Sequence, residues 1–298
     1  MIPSIRPILT IIPLAVACIA NAADQPQPGE HFTRNQVSVE TNLPEKVDPA
    51  TGAGVWWTAA LGSQSYSTPV ISQGRILIGT NNDSPRDPRH KGDRGILYCL
   101  DEQSGGFLWQ LVVPKIGGGD PYLDWPNSNR EISPSTIVAA PVFLGDRIYL
   151  TVGGDIRWGK YQAWLQCVAA DQTGDTTATA MLWSCPLRHS ISTPAVSGPL
   201  TFAADTGNKT LICVDTATGK ELWSHPIGGE IWSSPLVADG KVYLGTRRGK
   251  FFIFAATREK KLLCQTTFDD PIDASPVAAN GVVYVATHTT LYALANHE

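Results

Sequence analysis

The sequence predicts an all-β chain of repeated four-stranded antiparallel units arranged as a propeller, and three observations carry that expectation. A proline-centred motif occurs five times: Ser67-Thr68-Pro69-Val70, Ala140-Pro141-Val142, Ser192-Thr193-Pro194-Ala195, Ser233-Ser234-Pro235-Leu236 and Ala274-Ser275-Pro276-Val277. After each proline comes a tight turn and a β-rich run, as in Asp239-Gly240 before Lys241-Val242-Tyr243-Leu244 and Asn280-Gly281 before Val282-Val283-Tyr284-Val285. Asp-Gly and Asn-Gly suit type I′ hairpins, whose two central residues both need φ > 0. The prolines lie 72, 53, 41 and 41 residues apart. The last two intervals match one propeller blade, and the first two match a blade carrying an insertion.

Composition narrows the class. At 43% hydrophobic and 17% charged residues, the 298-residue chain is neither a disordered tail nor a coiled coil. Its 23 Lys and Arg against 27 Asp and Glu give a net charge of −4, which argues against a nucleic-acid partner held by phosphate neutralisation. Residues 1–22 read as a signal peptide. Arg6 is the charge, Ile8 to Ala20 is almost wholly apolar, and Ala20-Asn21-Ala22 is a small-x-small cleavage site. The apolar run is short for a membrane span and Pro13 interrupts it. Cys18 as a lipidated cysteine is the lesser reading, because the usual Leu three residues before it is absent. No later run is long enough for a span, so the expected location is periplasmic or secreted. Residues 23–54 form an extended leader and 55–298 the propeller.

Each unit then adds a third strand, a turn and an outer strand. The clearest copy runs from Cys213 through Asp215-Thr216-Ala217-Thr218-Gly219-Lys220 to Trp223, and a looser one from Cys99 through Asp101 and Gly105 to Trp109. Degenerate copies run from Cys167 to Trp183 and from Phe254 to Cys264. In each clear copy the Asp can bind the turn backbone and the Gly can take the left-handed conformation. The last unit lacks an outer strand, and Val55-Trp56-Trp57-Thr58-Ala59 is available to supply it. Five blades follow, with the ring closed by this N-terminal strand and no open sheet edge. The alternative is an incomplete ring, with Pro114 to Ser133 marking lost blades. Beyond Cys18 there are five cysteines (Cys99, Cys167, Cys185, Cys213 and Cys264), an odd number that leaves at least one thiol free or bonded between chains. None has C-x-x-C spacing, and those in apolar strands read as small buried hydrophobes.

The motif Asp-x-x-Thr-Gly-Lys-x-x-Trp at Asp215 to Trp223 resembles the repeat of the quinoprotein-like β-propellers, the pyrroloquinoline-quinone (PQQ) repeat superfamily. The resemblance spans about Val55 to Leu294 and implies that Trp109, Trp183 and Trp223 are structural residues that dock between blades. It implies two classes of function. Enzymes of the superfamily are quinone-dependent dehydrogenases that use PQQ with calcium, commonly beside a vicinal cysteine pair that this chain lacks. Non-catalytic relatives include the outer-membrane barrel-assembly lipoprotein.

With strands running from inner to outer, the connections between second and third strands share one face with the crossings between blades. Candidates there are Asn81, Asn82, Arg86, His90, Trp125, Arg130, Glu131, Asp155, Arg157, Trp158, Trp232, Arg247 and His288. Asp83, Asp87 and Asp93 match no calcium-loop spacing and are interleaved with basic residues, so a solvated, internally salt-bridged loop is expected. No catalytic residue, metal ligand or cofactor is expected, and an enzymatic role is disfavoured. The expectation is a binding or scaffold module whose partner is a protein or a carbohydrate. A PQQ-dependent oxidoreductase, or a degenerate relative of one, is the alternative.

Overall fold

The computed structural model describes residues 23–30, 32–81, 83–90, 95–112, 135–154, 161–171 and 179–296. The leader contributes β1 (Val37–Ser38), and β2 (Val55–Ala60) follows it. Blade one comprises β3 (Val70–Ser72), β4 (Arg75–Asn81), β5 (Gly95–Asp101) and β6 (Phe107–Val112). In blade two, β7 (Ser135–Thr136) and β8 (Val142–Leu144) both pair with β9 (Arg147–Gly154), ahead of β10 (Ala163–Ala169) and β11 (Met181–Leu187). Blade three comprises β12 (Ala195–Ser197), β13 (Leu200–Asp205), β14 (Thr210–Asp215) and β15 (Glu221–Pro226). Blade four comprises β16 (Leu236–Ala238), β17 (Lys241–Gly245), β18 (Lys250–Ala255) and β19 (Leu262–Thr267). Blade five comprises β20 (Val277–Ala279), β21 (Val282–Ala286) and β22 (Thr290–Leu294), and β2 pairs with β22 to complete it. Five antiparallel blades and the N-terminal closing strand are present, with no helix among the described residues.

The turns act as the sequence implies. Asp239 and Gly240 have φ of 51° and 66°, and Asn280 and Gly281 have 52° and 78°, which places Ala238 opposite Lys241 and Ala279 opposite Val282. In blades three to five both faces of the middle strands are apolar because each of these blades is covered by a neighbour on either side. Four buried clusters form this packing. They join blade two to three, three to four, four to five, and five to one.

A belt of hydrogen bonds follows the same path. The residue before each repeat proline donates its N–H to the hydroxyl at the same position of the next unit. Ala140 donates to Thr193 (3.2 Å), Thr193 to Ser234 (3.0 Å), Ser234 to Ser275 (2.9 Å) and Ser275 to Thr68 (3.4 Å). The fifth link cannot form in this way, because Ala140 has no hydroxyl to receive the N–H of Thr68.

That missing link coincides with a change in packing. Among the described residues no apolar cluster joins blade one to blade two. Leu111 on blade one is 58% exposed and Phe143 on blade two is 50% exposed. Leu150 and Gln166 of blade two are only half-buried, whereas the corresponding Ala203 and Ile212 of blade three are buried.

The leader is a strap rather than a free extension. It runs across the hairpin-turn ends of the blades and bonds to all five. Ile71 and Phe143 donate backbone N–H groups to Gln25 and Thr33 (2.9 and 3.0 Å). The Asn35 carboxamide both donates to and accepts from the Val196 backbone (2.7 and 2.8 Å). β1 lies parallel to β16, the Tyr243 hydroxyl donates to the Pro44 carbonyl (3.0 Å), and the Gly281 N–H donates to Glu40 (2.6 Å). Signal-sequence and leader boundaries upstream of Ala23, including Cys18, lie outside the described residues.

Candidate partner-binding face

Away from the strap, the β4–β5, β13–β14, β17–β18 and β21–β22 connections share the opposite face with the crossings between blades. Here the structure assembles three sequence candidates, Trp232, Arg247 and His288, into one cluster. Trp232 and Glu230 belong to the crossing from blade three to blade four, and Asp273 to the crossing from four to five. Arg247 comes from the β17–β18 turn and His288 from the β21–β22 turn. The Asp273 carboxylate, with a side chain only 2% exposed, accepts from Arg247 Nε (3.1 Å) and binds His288 Nε2 (2.7 Å). Arg247 also pairs with Glu230 (3.2 Å), and its guanidinium lies 3.8 Å from the centre of the Trp232 ring. A buried carboxylate is costly without a partner, so Asp273 fixes both the Arg247 guanidinium and the His288 ring. The Tyr66 ring, 51% exposed, packs edge-on against His288 at 5.0 Å.

The turns are built for this placement. The Thr246 hydroxyl accepts from the backbone of Arg248 and Lys250 (3.4 and 3.1 Å), closing the β17–β18 turn behind Arg247. In blade three Asp205 takes that place and accepts from the backbone of Arg188, His189 and Asn208 (3.0, 3.2 and 3.1 Å). Beside Tyr66 lies an open cavity of about 460 Å³ lined by Ser67, Gly79, Thr80, Asn81, Ile96 and Leu97.

Other candidates hold the blade-one loop in place. Asn81 accepts from the Ser63 N–H (2.7 Å), and Ser63 in turn donates to Asp83. Arg86 donates to the Ala60 carbonyl (2.6 Å) and lies over Tyr98 and Phe107 (4.9 and 5.1 Å). Asp87 accepts three bonds from Nε and Nη2 of the Arg89 guanidinium, which holds its carboxyl well below the usual range, and His90 lies 4.0 Å away. This is the salt-bridged loop the sequence implies, and it draws Arg86 and His90 into structural contacts. Asn82, Trp125, Arg130, Glu131, Asp155, Arg157 and Trp158 lie outside the described residues.

The expected interblade tryptophans divide. Trp183 and Trp223 are each 7% exposed and donate Nε1–H to carbonyls of the following blade, Thr216 and Thr257, at 3.0 Å. Trp109 is 44% exposed and has no such bond. Trp57, which the sequence places in the closing strand but not among the docking residues, fills this position in blade five and donates to the Glu102 carbonyl (3.1 Å). Residues 162–262 match the family model described as outer membrane protein assembly factor BamB. The match runs from the residue before β10 to the first residue of β19, so it covers blade three and parts of blades two and four and leaves blades one and five outside it.

Curated relatives of this chain include BamB of Moranella endobia, 28% identical over 193 residues that cover 63% of this chain and 40% of that protein. BamB of Yersinia pestis is 24% identical over 238 residues, covering 78% and 51% respectively. The chain thus spans about half the length of the curated relatives it matches. Among solved structures, BamB from Moraxella catarrhalis aligns with a TM-score of 0.41 at 13% identity, covering 77% of this chain and 59% of that one.

The described residues do not fit a quinone–calcium centre. Both Asp273 oxygens are engaged by Arg247 and His288, Asp205 is saturated by backbone N–H groups, and Glu230 is paired with Arg247. Among the described residues no group of three or more His, Cys, Asp or Glu is placed to hold a metal ion. The five cysteines beyond Cys18 are free, and four of them are buried. Burial pushes the Cys213 thiol up to about 12, which suppresses its thiolate.

Proposed function

We propose that this PQQ-repeat propeller is an extracytoplasmic, non-catalytic scaffold. Its partner, a protein taking part in outer-membrane protein assembly, docks on the face carrying Trp232, Arg247 and His288. The observation that carries this reading is the Arg247–Trp232 stack. An Arg and an aromatic ring are the side-chain types that anchor interfaces, and here a buried carboxylate and Glu230 preset the guanidinium before any partner arrives. Relatives bearing the assembly-factor name supply the partner class. Residues 1–22 supply the route out of the cytoplasm. Carbohydrate recognition is the second reading of the same face, and Trp125, Arg130, Arg157 and Trp158, which lie outside the described residues, stay candidates for it on sequence alone.

The test is capture of outer-membrane assembly proteins from envelope extract by the wild-type chain and by a Trp232→Ala, Arg248→Glu double variant. Arg248 is exposed beside the stack, so this variant leaves the Asp273 pairs intact. The expected result is at least a tenfold loss of capture with a melting temperature within about 2 °C of wild type. Undiminished capture would place the interface elsewhere. Dye-linked turnover after incubation with PQQ and calcium would overturn the non-catalytic reading.

A further inference from the structure

Glu40 is buried, 4% exposed, in the strap beneath blade five. Its Oε2 accepts the Gly281 N–H (2.6 Å) and its Oε1 accepts from the backbone nitrogen of Ala23 (2.7 Å). No Lys, Arg or His among the described residues pairs with it. Two further carboxylates approach the same hairpin. Asp24 accepts from the Gln73 N–H (2.8 Å) and from the Asn280 side chain (3.2 Å), and Glu102 accepts from Asn280 and from the Tyr284 hydroxyl (2.8 and 3.2 Å). This acidic patch therefore has hydrogen-bond donors but no side-chain cation, and a buried carboxylate without a counter-charge is costly.

The nitrogen that touches Glu40 is the one that cleavage after Ala20-Asn21-Ala22 would release. While the chain continues upstream, Ala23 offers a neutral peptide N–H. After cleavage between Ala22 and Ala23, the same atom becomes an α-ammonium, positively charged at neutral pH. We propose that Ala22–Ala23 is the processing site and that the new α-ammonium of Ala23 is the counter-ion of Glu40. Hydrolysis of the peptide bond consumes one water, leaving a carboxylate on Ala22 and the ammonium on Ala23. Export thereby completes an ion pair that ties the strap to the β20–β21 turn, and the processed chain holds its five-blade strap more firmly than the precursor.

The test uses the full chain, exported and purified from cells, as wild type and as Glu40→Gln. Intact mass and N-terminal sequencing should show a chain beginning at Ala23. Any other start, an acylated Cys18 included, overturns the proposal. Acylation of the α-amine after unfolding in urea, followed by refolding, should lower the melting temperature of the wild type by about 3–8 °C. The same modification should shift Glu40→Gln by less than about 1 °C, because its partner is already neutral. Equal shifts in both proteins would refute the pairing. A second readout stands if Glu40→Gln fails to fold. In the wild type, the α-amine should react with an acylating reagent at least fivefold more slowly in the native protein than in urea. Equal rates would likewise refute it.

Discussion

Truncating Trp223 measures how much one docking tryptophan holds between blades three and four. Its indole packs against Phe202 and Phe254 (ring centres 5.9 and 5.7 Å) and donates to the Thr257 carbonyl (3.0 Å). A Trp that is 7% exposed withdraws on the order of 200 Å² from water. At about 25 cal/mol per Å² that burial is worth about 5 kcal/mol before the small share an Ala side chain keeps. The Thr257 bond adds about 1 kcal/mol. Partial collapse of the cavity offsets some of this, so Trp223→Ala should cost about 3–5 kcal/mol. Trp109→Ala is the internal control. Its ring is 44% exposed and unbonded, so its loss should stay under about 1.5 kcal/mol. Urea denaturation followed by far-ultraviolet circular dichroism gives both values. Melting temperatures should fall by roughly 6–20 °C for Trp223→Ala and by a few degrees at most for Trp109→Ala. Equal losses at the two positions would refute the assignment of docking energy by burial.

Three further expectations follow from the same geometry. Gly219 and Gly198 both have positive φ (69° and 55°), but a Cβ on Gly219 would lie 2.4 Å from the Trp183 ring while one on Gly198 meets nothing. Both Ala substitutions carry the left-handed strain of about 1 kcal/mol. Gly219→Ala should cost at least about 1.5 kcal/mol more, read as the difference in urea midpoints. Deleting residues 55–60 should expose the edge of β22 and produce aggregation visible by light scattering; a monomer with unchanged melting would refute the closing role of β2. Burial among aromatic rings, helped by Lys260, holds the His225 imidazolium pKa below its usual value. The unfolded chain therefore binds more protons below about pH 6.5, so this contribution is present above that pH and is lost as pH falls through the folded pKa. His225→Gln should flatten the pH dependence of stability on that acid side.

The blades were legible because they are local. Asp239-Gly240 and Asn280-Gly281 select their hairpins from neighbouring residues alone, and the proline spacing counts the units. The closing strand was legible by subtraction, since the fifth unit lacks a partner for β22. The strap was not. Its contacts join single leader residues such as Asn35 and Pro44 to blade residues 161 and 199 positions away, Val196 and Tyr243, with no periodicity to betray them. Trp109 and Trp223 end similar motifs, yet only Trp223 is covered, because docking depends on the following blade rather than on the motif. The candidate face was half legible. Arg247, His288 and Trp232 stood out as exposed types on mouth loops. Asp273, which binds the first two, sits in a crossing whose sequence gives no sign that its carboxylate turns inward.

The two ends of this propeller therefore differ in kind. On the hairpin-turn face, the strap satisfies backbone groups of every blade, so a partner arriving there would first have to displace Asn35 from Val196 and Glu40 from Gly281. Each bond ends on a buried residue, Val196 in the first and Glu40 in the second, and leaving a buried group unpaired costs about 1–3 kcal/mol. On the opposite face, Trp232, Arg247 and Tyr66 are already held by Asp273, Glu230 and His288 and still reach solvent. Binding there need order few side chains, and the cost of fixing the Arg247 guanidinium is already met within the free protein. The same asymmetry explains why the belt tolerates Ala140. Blade two is tied to blade three through Thr193 and to the strap through Thr33, so a weak link to blade one leaves the mouth cluster, which lies across blades three to five, undisturbed.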